Sequence, residues 1–185
     1  MEAFVNSFLL VFLGEMGDKT QLLSLMLTAR YKKPWTILLG VFIATVLNHA
    51  LATWAGHYVA TILPPAYIKW ILALTFFGFG LWILIPDKEE EMKSDGHLGI
   101  LMTTVIAFFI AEMGDKTQLA TVALGATYSN AWVVTFGTTA GMMGSNALAI
   151  FLGPSLLAKI QMKYIRMAAC ALFIGFGVAV LIGMA

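Results

Sequence analysis

The sequence predicts an all-α membrane protein, six transmembrane helices built as two inverted three-helix repeats. Three observations carry that expectation. Of the 185 residues, 60% are hydrophobic and only 11% charged, with a mean hydropathy of +0.87. A soluble domain needs about 25% charged residues to solvate its surface, so most of this surface must face something other than water. Apolar stretches also recur at the length a bilayer demands, and the chain repeats itself at a fixed offset of 97 residues.

A helix crossing about 30 Å of hydrocarbon needs roughly 20 mostly apolar residues. Six stretches qualify: 4–29, 35–62, 67–85, 98–127, 131–153 and 165–185. The first ends at Arg30-Tyr31-Lys32-Lys33-Pro34, the second at Pro64-Pro65, and the third at the acidic run from Pro86 to His97. Tyr128-Ser129-Asn130 ends the fourth, and the segment from Pro154 to Arg166 ends the fifth. These connections leave no room for a soluble domain, so residues 1–185 read as one transmembrane domain, with repeats at 1–88 and 98–185. The N-terminus does not resemble a cleaved signal peptide: Glu2 is acidic where a positive region is expected, and the apolar run is too long.

Orientation follows from the loop cations. Arg30, Lys32, Lys33, Lys88, Lys93, Lys159, Lys163 and Arg166 follow spans one, three and five, whereas only Lys69 lies on the other side. The first set is expected in the cytoplasm and both termini outside. Asp87, Glu89, Glu90, Glu91 and Asp95 share the third loop and read as solvated charge.

Glu15-Met16-Gly17-Asp18-Lys19-Thr20-Gln21-Leu22 recurs identically as Glu112-Met113-Gly114-Asp115-Lys116-Thr117-Gln118-Leu119. The same offset maps Trp35 to Trp132, Gly40 to Gly137, Ala50-Leu51-Ala52 to Ala147-Leu148-Ala149, and Gly78-Phe79-Gly80 to Gly175-Phe176-Gly177. Membrane composition alone explains scattered Leu and Gly matches, but not a repeated polar octapeptide. Three spans per half is an odd number, so the second half enters from the opposite side. In transporters built this way the substrate site lies at mid-membrane between the repeats, and Glu15 and Glu112 fall near the middle of spans one and four.

Six ionisable residues, Glu15, Asp18, Lys19, Glu112, Asp115 and Lys116, are thereby stranded in hydrocarbon. At about 2.5–3.5 kcal/mol each, they would cost roughly 15–20 kcal/mol if unpaired. On a regular helix Glu15, Asp18 and Gln21 share a face, as do Glu112, Asp115 and Gln118. Two such helices, crossing, would bring four carboxylates and two amide oxygens around one centre. All-oxygen ligation suits Mg²⁺, Ca²⁺ and Mn²⁺. Gly14, Gly17 and Gly114 permit local unwinding that exposes carbonyls. Four carboxylates and two ammonium groups sum to −2, so one divalent cation neutralises the set. Without it, crowded acids take up protons, and metal binding expels them. The plainer alternative is a salt-bridge lock between the halves, but two lysines cannot neutralise four acids.

Asn48, His49, Ser145 and Asn146 occupy equivalent places in spans two and five, and either line a pathway or make ordinary helix–helix hydrogen bonds. Met16 and Met113 add a thioether beside the acids but point away from the glutamates on a regular helix. Gly137 and Gly141 read as close-packing positions, His57 as interfacial, His97 as a loop residue and Cys170 as inert packing. No basic patch suggests nucleic acid.

Two copies of Glu-x-Gly-Asp-Lys-Thr, one per three-helix half, resemble the Gdt-type family of cation–proton exchangers, along essentially the whole chain. The resemblance implies transport of Mn²⁺ or Ca²⁺ in exchange for protons. It carries metal binding onto Glu15, Asp18, Glu112 and Asp115, with Lys19, Thr20, Lys116 and Thr117 beside them. The small size resembles the bacterial branch, implying manganese export across the inner membrane. No cofactor is implied beyond the transported cation, and a homo-oligomer is left open. A passive channel would use the same carboxylates as a selectivity ring. An intramembrane enzyme would need a nucleophile–base pair or phosphate clamp, and the only arginines, Arg30 and Arg166, lie at span ends.

Overall fold

The computed structural model describes residues 1–85, 99–157 and 161–183. The acidic run from Asp87 to Asp95, with Lys88, Lys93 and His97, lies outside the described residues, as does Lys159. Among the described residues the chain forms eight α-helices and no strand: α1 (Glu2–Glu15), α2 (Lys19–Tyr31), α3 (Pro34–Ile62), α4 (Pro65–Trp82), α5 (Ile100–Glu112), α6 (Lys116–Thr127), α7 (Ala131–Leu157) and α8 (Met162–Leu181).

Two of the expected continuous spans are broken. The stretch 4–29 is divided between α1 and α2, and 98–127 between α5 and α6. Both breaks fall at the octapeptide and have one cause. Gly17 (φ 79°) and Gly114 (φ 78°) adopt left-handed backbone, which only glycine enters at little cost. The residue before each is extended, Met16 at φ −66°, ψ 114° and Met113 at φ −67°, ψ 116°. Asp18 and Asp115 then begin the next helix from the N-cap position. The shared helical face expected for Glu15, Asp18 and Gln21 therefore does not exist. Glu15 and Glu112 end helices, and Asp18 and Asp115 start new ones.

By length and apolar composition alone, Pro34–Ile62 and Met162–Leu181 are long enough to cross a membrane, and Tyr67–Trp82 and Ile100–Glu112 are shorter apolar helices. The exterior is apolar in a way water would penalise, with Trp35, Leu51, Tyr58, Leu74, Ile110 and Phe136 all exposed. The interior is polar, burying Ser7, Thr20, Ser24, Thr45, His49, Thr121 and Asn146 completely. Exposed apolar surface around buried polar groups is the informative pattern.

Contacts come in exchanged pairs. A Cβ on Gly40 of α3 would lie 2.7 Å from Thr104 of α5, and one on Gly137 of α7 would lie 2.9 Å from Ser7 of α1. The 97-residue offset relates Gly40 to Gly137 and Ser7 to Thr104. Likewise, a Cβ on Gly80 would lie 3.2 Å from the Cys170 carbonyl and one on Gly177 3.2 Å from the Ala73 carbonyl. Gly141 also packs closely, with its Cβ position 2.6 Å from Phe8 O.

Two apolar clusters follow the same relation: Leu23, Leu27 and Ile37 in one correspond to Ala120, Leu124 and Val134 in the other. Phe108 is the aromatic ring in the core of the first cluster, whereas the second holds Phe76, Phe173 and Phe176, with Phe76 centred 4.8 Å from Phe176.

Candidate functional site

Both breaks are built by the same hydrogen bonds. The Gly17 amide donates to Gln21 Oε1 at 2.9 Å and the Gly114 amide to Gln118 Oε1 at 2.7 Å. The Asp18 amide donates to Glu15 O and the Asp115 amide to Glu112 O, each at 3.1 Å. The two amide oxygens expected to ligate a cation each accept one of these bonds and so cap the unwound turns. Gln21 Nε2 further donates to Ser145 O at 2.9 Å and Ser145 Oγ at 3.2 Å, tying the first break to α7.

Ending α1 and α5 on a glutamate places carboxylates where the helix dipole is already negative. Such a position repels an anion and attracts a cation, and helix C-termini at broken segments are used this way in transporters. Carboxylate oxygens of Glu15, Glu112 and Asp115 all lie within 4.8 Å of one another, and all three residues are buried. Three acids from two halves thus converge on a space the size of an ion. Neither Glu112 oxygen, nor Asp115 Oδ2, receives a hydrogen bond among the described residues.

Asp18 is not in that cluster; its Oδ1 accepts from the Lys19 amide at 2.7 Å, capping α2. Thr20 Oγ1 donates to Glu15 Oε2 at 2.7 Å. Lys19 Nζ lies 3.3 Å from Asp115 Oδ1, joining the two motifs directly. Lys116 Nζ donates to Ile85 O at 3.0 Å beyond the end of α4 and lies 5.8 Å from the Trp82 ring centre. Thr117 accepts through its carbonyl from Thr121 Oγ1 at 2.8 Å. Asp18 and Lys116 also line a small crevice with Arg166.

Asn146 Nδ2 donates to Met142 O at 3.1 Å and its Oδ1 takes the Ser24 hydroxyl, whereas Asn48 Nδ2 donates to Phe109 O at 3.1 Å. Of the thioethers, Met16 is 6% exposed and receives the Gln21 amide, and Met113 is 59% exposed. Sequence reasoning allowed a lysine–carboxylate bridge between the halves without naming Asp115 as the partner of Lys19, and it missed the Thr20–Glu15 pairing. The only signal for them was the repeated Lys-Thr after each Asp.

An oxygen donor set of this kind fits a hard divalent cation. Comparison with known proteins agrees with that chemistry. The family described as "Divalent cation/proton antiporter GDT1" matches residues 3–91 and 100–185. A Vibrio cholerae protein named "Putative manganese exporter" is 45% identical over 176 residues, covering 94% of this chain and 88% of the relative. GDT1-like protein sll0615 of Synechocystis is 29% identical over 200 residues, covering 96% of both chains. GDT1-like protein 3 of Arabidopsis thaliana is 26% identical, covering 96% of this chain and 70% of the relative. No solved structure matches the chain at a significant level. With that match along nearly its whole length and two acidic motifs meeting in a buried oxygen cluster, the chain is a transporter, not an enzyme, and belongs to the GDT1 family of divalent cation/proton antiporters.

Proposed function

We propose that this protein exports a divalent cation from the cytoplasm in exchange for protons, with Mn²⁺ as the favoured substrate and Ca²⁺ as the alternative. The observation that carries this reading is the meeting of Glu15, Glu112 and Asp115 within 4.8 Å. One divalent cation neutralises much of that charge, and its departure leaves acids that protons must neutralise instead. Asp18, Lys19, Thr20, Lys116 and Thr117 support the three ligands, while Gln21 and Gln118 hold the turns. Manganese export takes support from the name of the Vibrio cholerae relative.

Six spans in two inverted halves account for the exchanged contacts, since a two-fold relation converts each contact into its partner. The excess of Lys and Arg in loops one, three and five supports cytoplasmic loops there, with both termini outside a bacterial inner membrane.

The test is Mn²⁺ movement into proteoliposomes under an imposed pH gradient, read by an enclosed Mn²⁺-sensitive dye. Accumulation above equilibrium, collapsing when the gradient is dissipated, is expected. Movement that stops at equilibrium would make the protein a passive pathway.

A further inference from the structure

Four polar side chains on α3 stand apart from the carboxylate cluster. Thr45, Asn48, His49 and Thr53 are each at most 1% exposed. Spacings of three and four residues put them on one helical face, spanning about 12 Å along the axis. Thr45 Oγ1, Asn48 Oδ1, both His49 ring nitrogens and Thr53 Oγ1 have no hydrogen-bond partner among the described residues. Buried polar atoms rarely stay unsatisfied, and water is the usual remedy.

The equivalent face of α7 differs. There Met142 replaces Thr45, Ser145 replaces Asn48, Asn146 replaces His49 and Ile150 replaces Thr53. Ser145 and Asn146 are bonded to Gln21 and Ser24. One half therefore carries a stripe that calls for water, and the other is satisfied or apolar.

The stripe passes the site and is bounded beyond it. Asn48 is fastened to Phe109, three residues before Glu112, so the face crosses α5 at the level of the site. Beyond Thr53 the backbones of α3 and α6 close together: a Cβ on Gly125 would overlap Thr53 O, and one on Gly56 would overlap Val122 O. That seam is too tight for a hydrated metal ion. The titratable groups on and at the ends of the elements packed against α3 are Glu112 on α5, Asp115, Lys116 and Tyr128 at the two ends of α6, and Asp18, Lys19, Arg30, Tyr31 and Lys32 on and around α2; α7 has none.

We propose that the α3 stripe Thr45–Asn48–His49–Thr53 is a hydrated proton path to the carboxylates, separate from the route the metal takes, with His49 as its relay. A neutral imidazole accepts a proton at one ring nitrogen and releases another from the second. The ring then returns to its starting tautomer, so no resting charge is needed. Such hydrogen-bonded chains of side chains and water are the usual means of moving protons within a membrane. The inference rests on the exchanger reading above.

The experiment compares wild type with His49→Phe, His49→Gln and Thr53→Val in proteoliposomes. Two rates are measured: proton counterflow with an enclosed pH dye, and Mn²⁺/Mn²⁺ exchange at equal pH. His49→Phe is expected to lower proton-coupled transport by at least about tenfold while Mn²⁺/Mn²⁺ exchange stays within about twofold of wild type. His49→Gln, which retains a donor and an acceptor but cannot tautomerise, is expected to fall between. Thr53→Val, nearly isosteric, is expected to slow proton flux alone and keeps the test valid if His49→Phe fails to insert. Equal loss of both rates, or loss of neither, would overturn the path. A wild type that moves Mn²⁺ without proton counterflow would remove both the path and the exchanger reading.

Discussion

The two octapeptides have the same sequence and nearly the same backbone, yet they stand in different surroundings. The first is enclosed: Met16 is buried, and a Cβ on Gly17 would lie 2.9 Å from Met162 Sδ. The second is open: Met113 is exposed, and a Cβ on Gly114 would meet nothing within 4 Å. Glu15 takes the Thr20 hydroxyl, whereas Glu112 takes no hydrogen bond among the described residues. Lys19 crosses to the opposite motif, whereas Lys116 reaches the end of α4. Local sequence thus decides where each helix breaks, and tertiary neighbours decide what each residue does there. Two identical motifs thus meet in one asymmetric cluster of carboxylates.

The sharpest break of that comparison is removal of one glutamate. If the motifs share one ion, Glu15→Gln and Glu112→Gln should each abolish Mn²⁺ transport, by more than the 10–100-fold typical of outer-shell changes. Residual transport near half in either variant, measured by dye-reported initial rates, would mean two independent sites.

The aspartates should separate next. Asp115 belongs to the three-acid cluster and pairs with Lys19, whereas Asp18 caps α2. Asparagine caps a helix about as well as aspartate. Asp18→Asn should therefore lose about tenfold or less in transport, at or below the lower end of the range for supporting residues, and Asp115→Asn far more. Equal losses would place Asp18 among the ligands.

The smallest expected difference concerns the glycines, read as thermal stability in detergent. Gly17→Ala and Gly114→Ala both force a left-handed backbone onto alanine, costing about 1–2 kcal/mol. Gly17→Ala must also displace Met162, so it should lower the melting temperature more. The reverse order would show that the first motif is not the more enclosed.

Much of this arrangement was legible in the sequence. The doubled octapeptide marked the acids that meet in the cluster, and its glycines marked where unwinding occurs, because left-handed backbone is a local demand that one residue type meets. The boundaries of α3 were legible from Pro34 and Pro64. The expected shared helical face does not form for the same local reason, since Gly17 and Gly114 turn the chain between glutamate and aspartate. What each side chain bonds was not legible. Lys19 and Asp115 are distant in sequence, Gln21 and Gln118 are equally suited to a metal or a backbone amide, and identical motifs carry no sign of their different neighbours. The acidic loop lies beyond what the structure describes.

The central claim, one cation held jointly by both halves, is tested most directly by Mn²⁺ binding stoichiometry on the purified protein, using electron paramagnetic resonance of free Mn²⁺. One ion per chain is predicted, lost in Glu15→Gln and in Glu112→Gln alike. Two ions per chain, with one surviving in each variant, would contradict it.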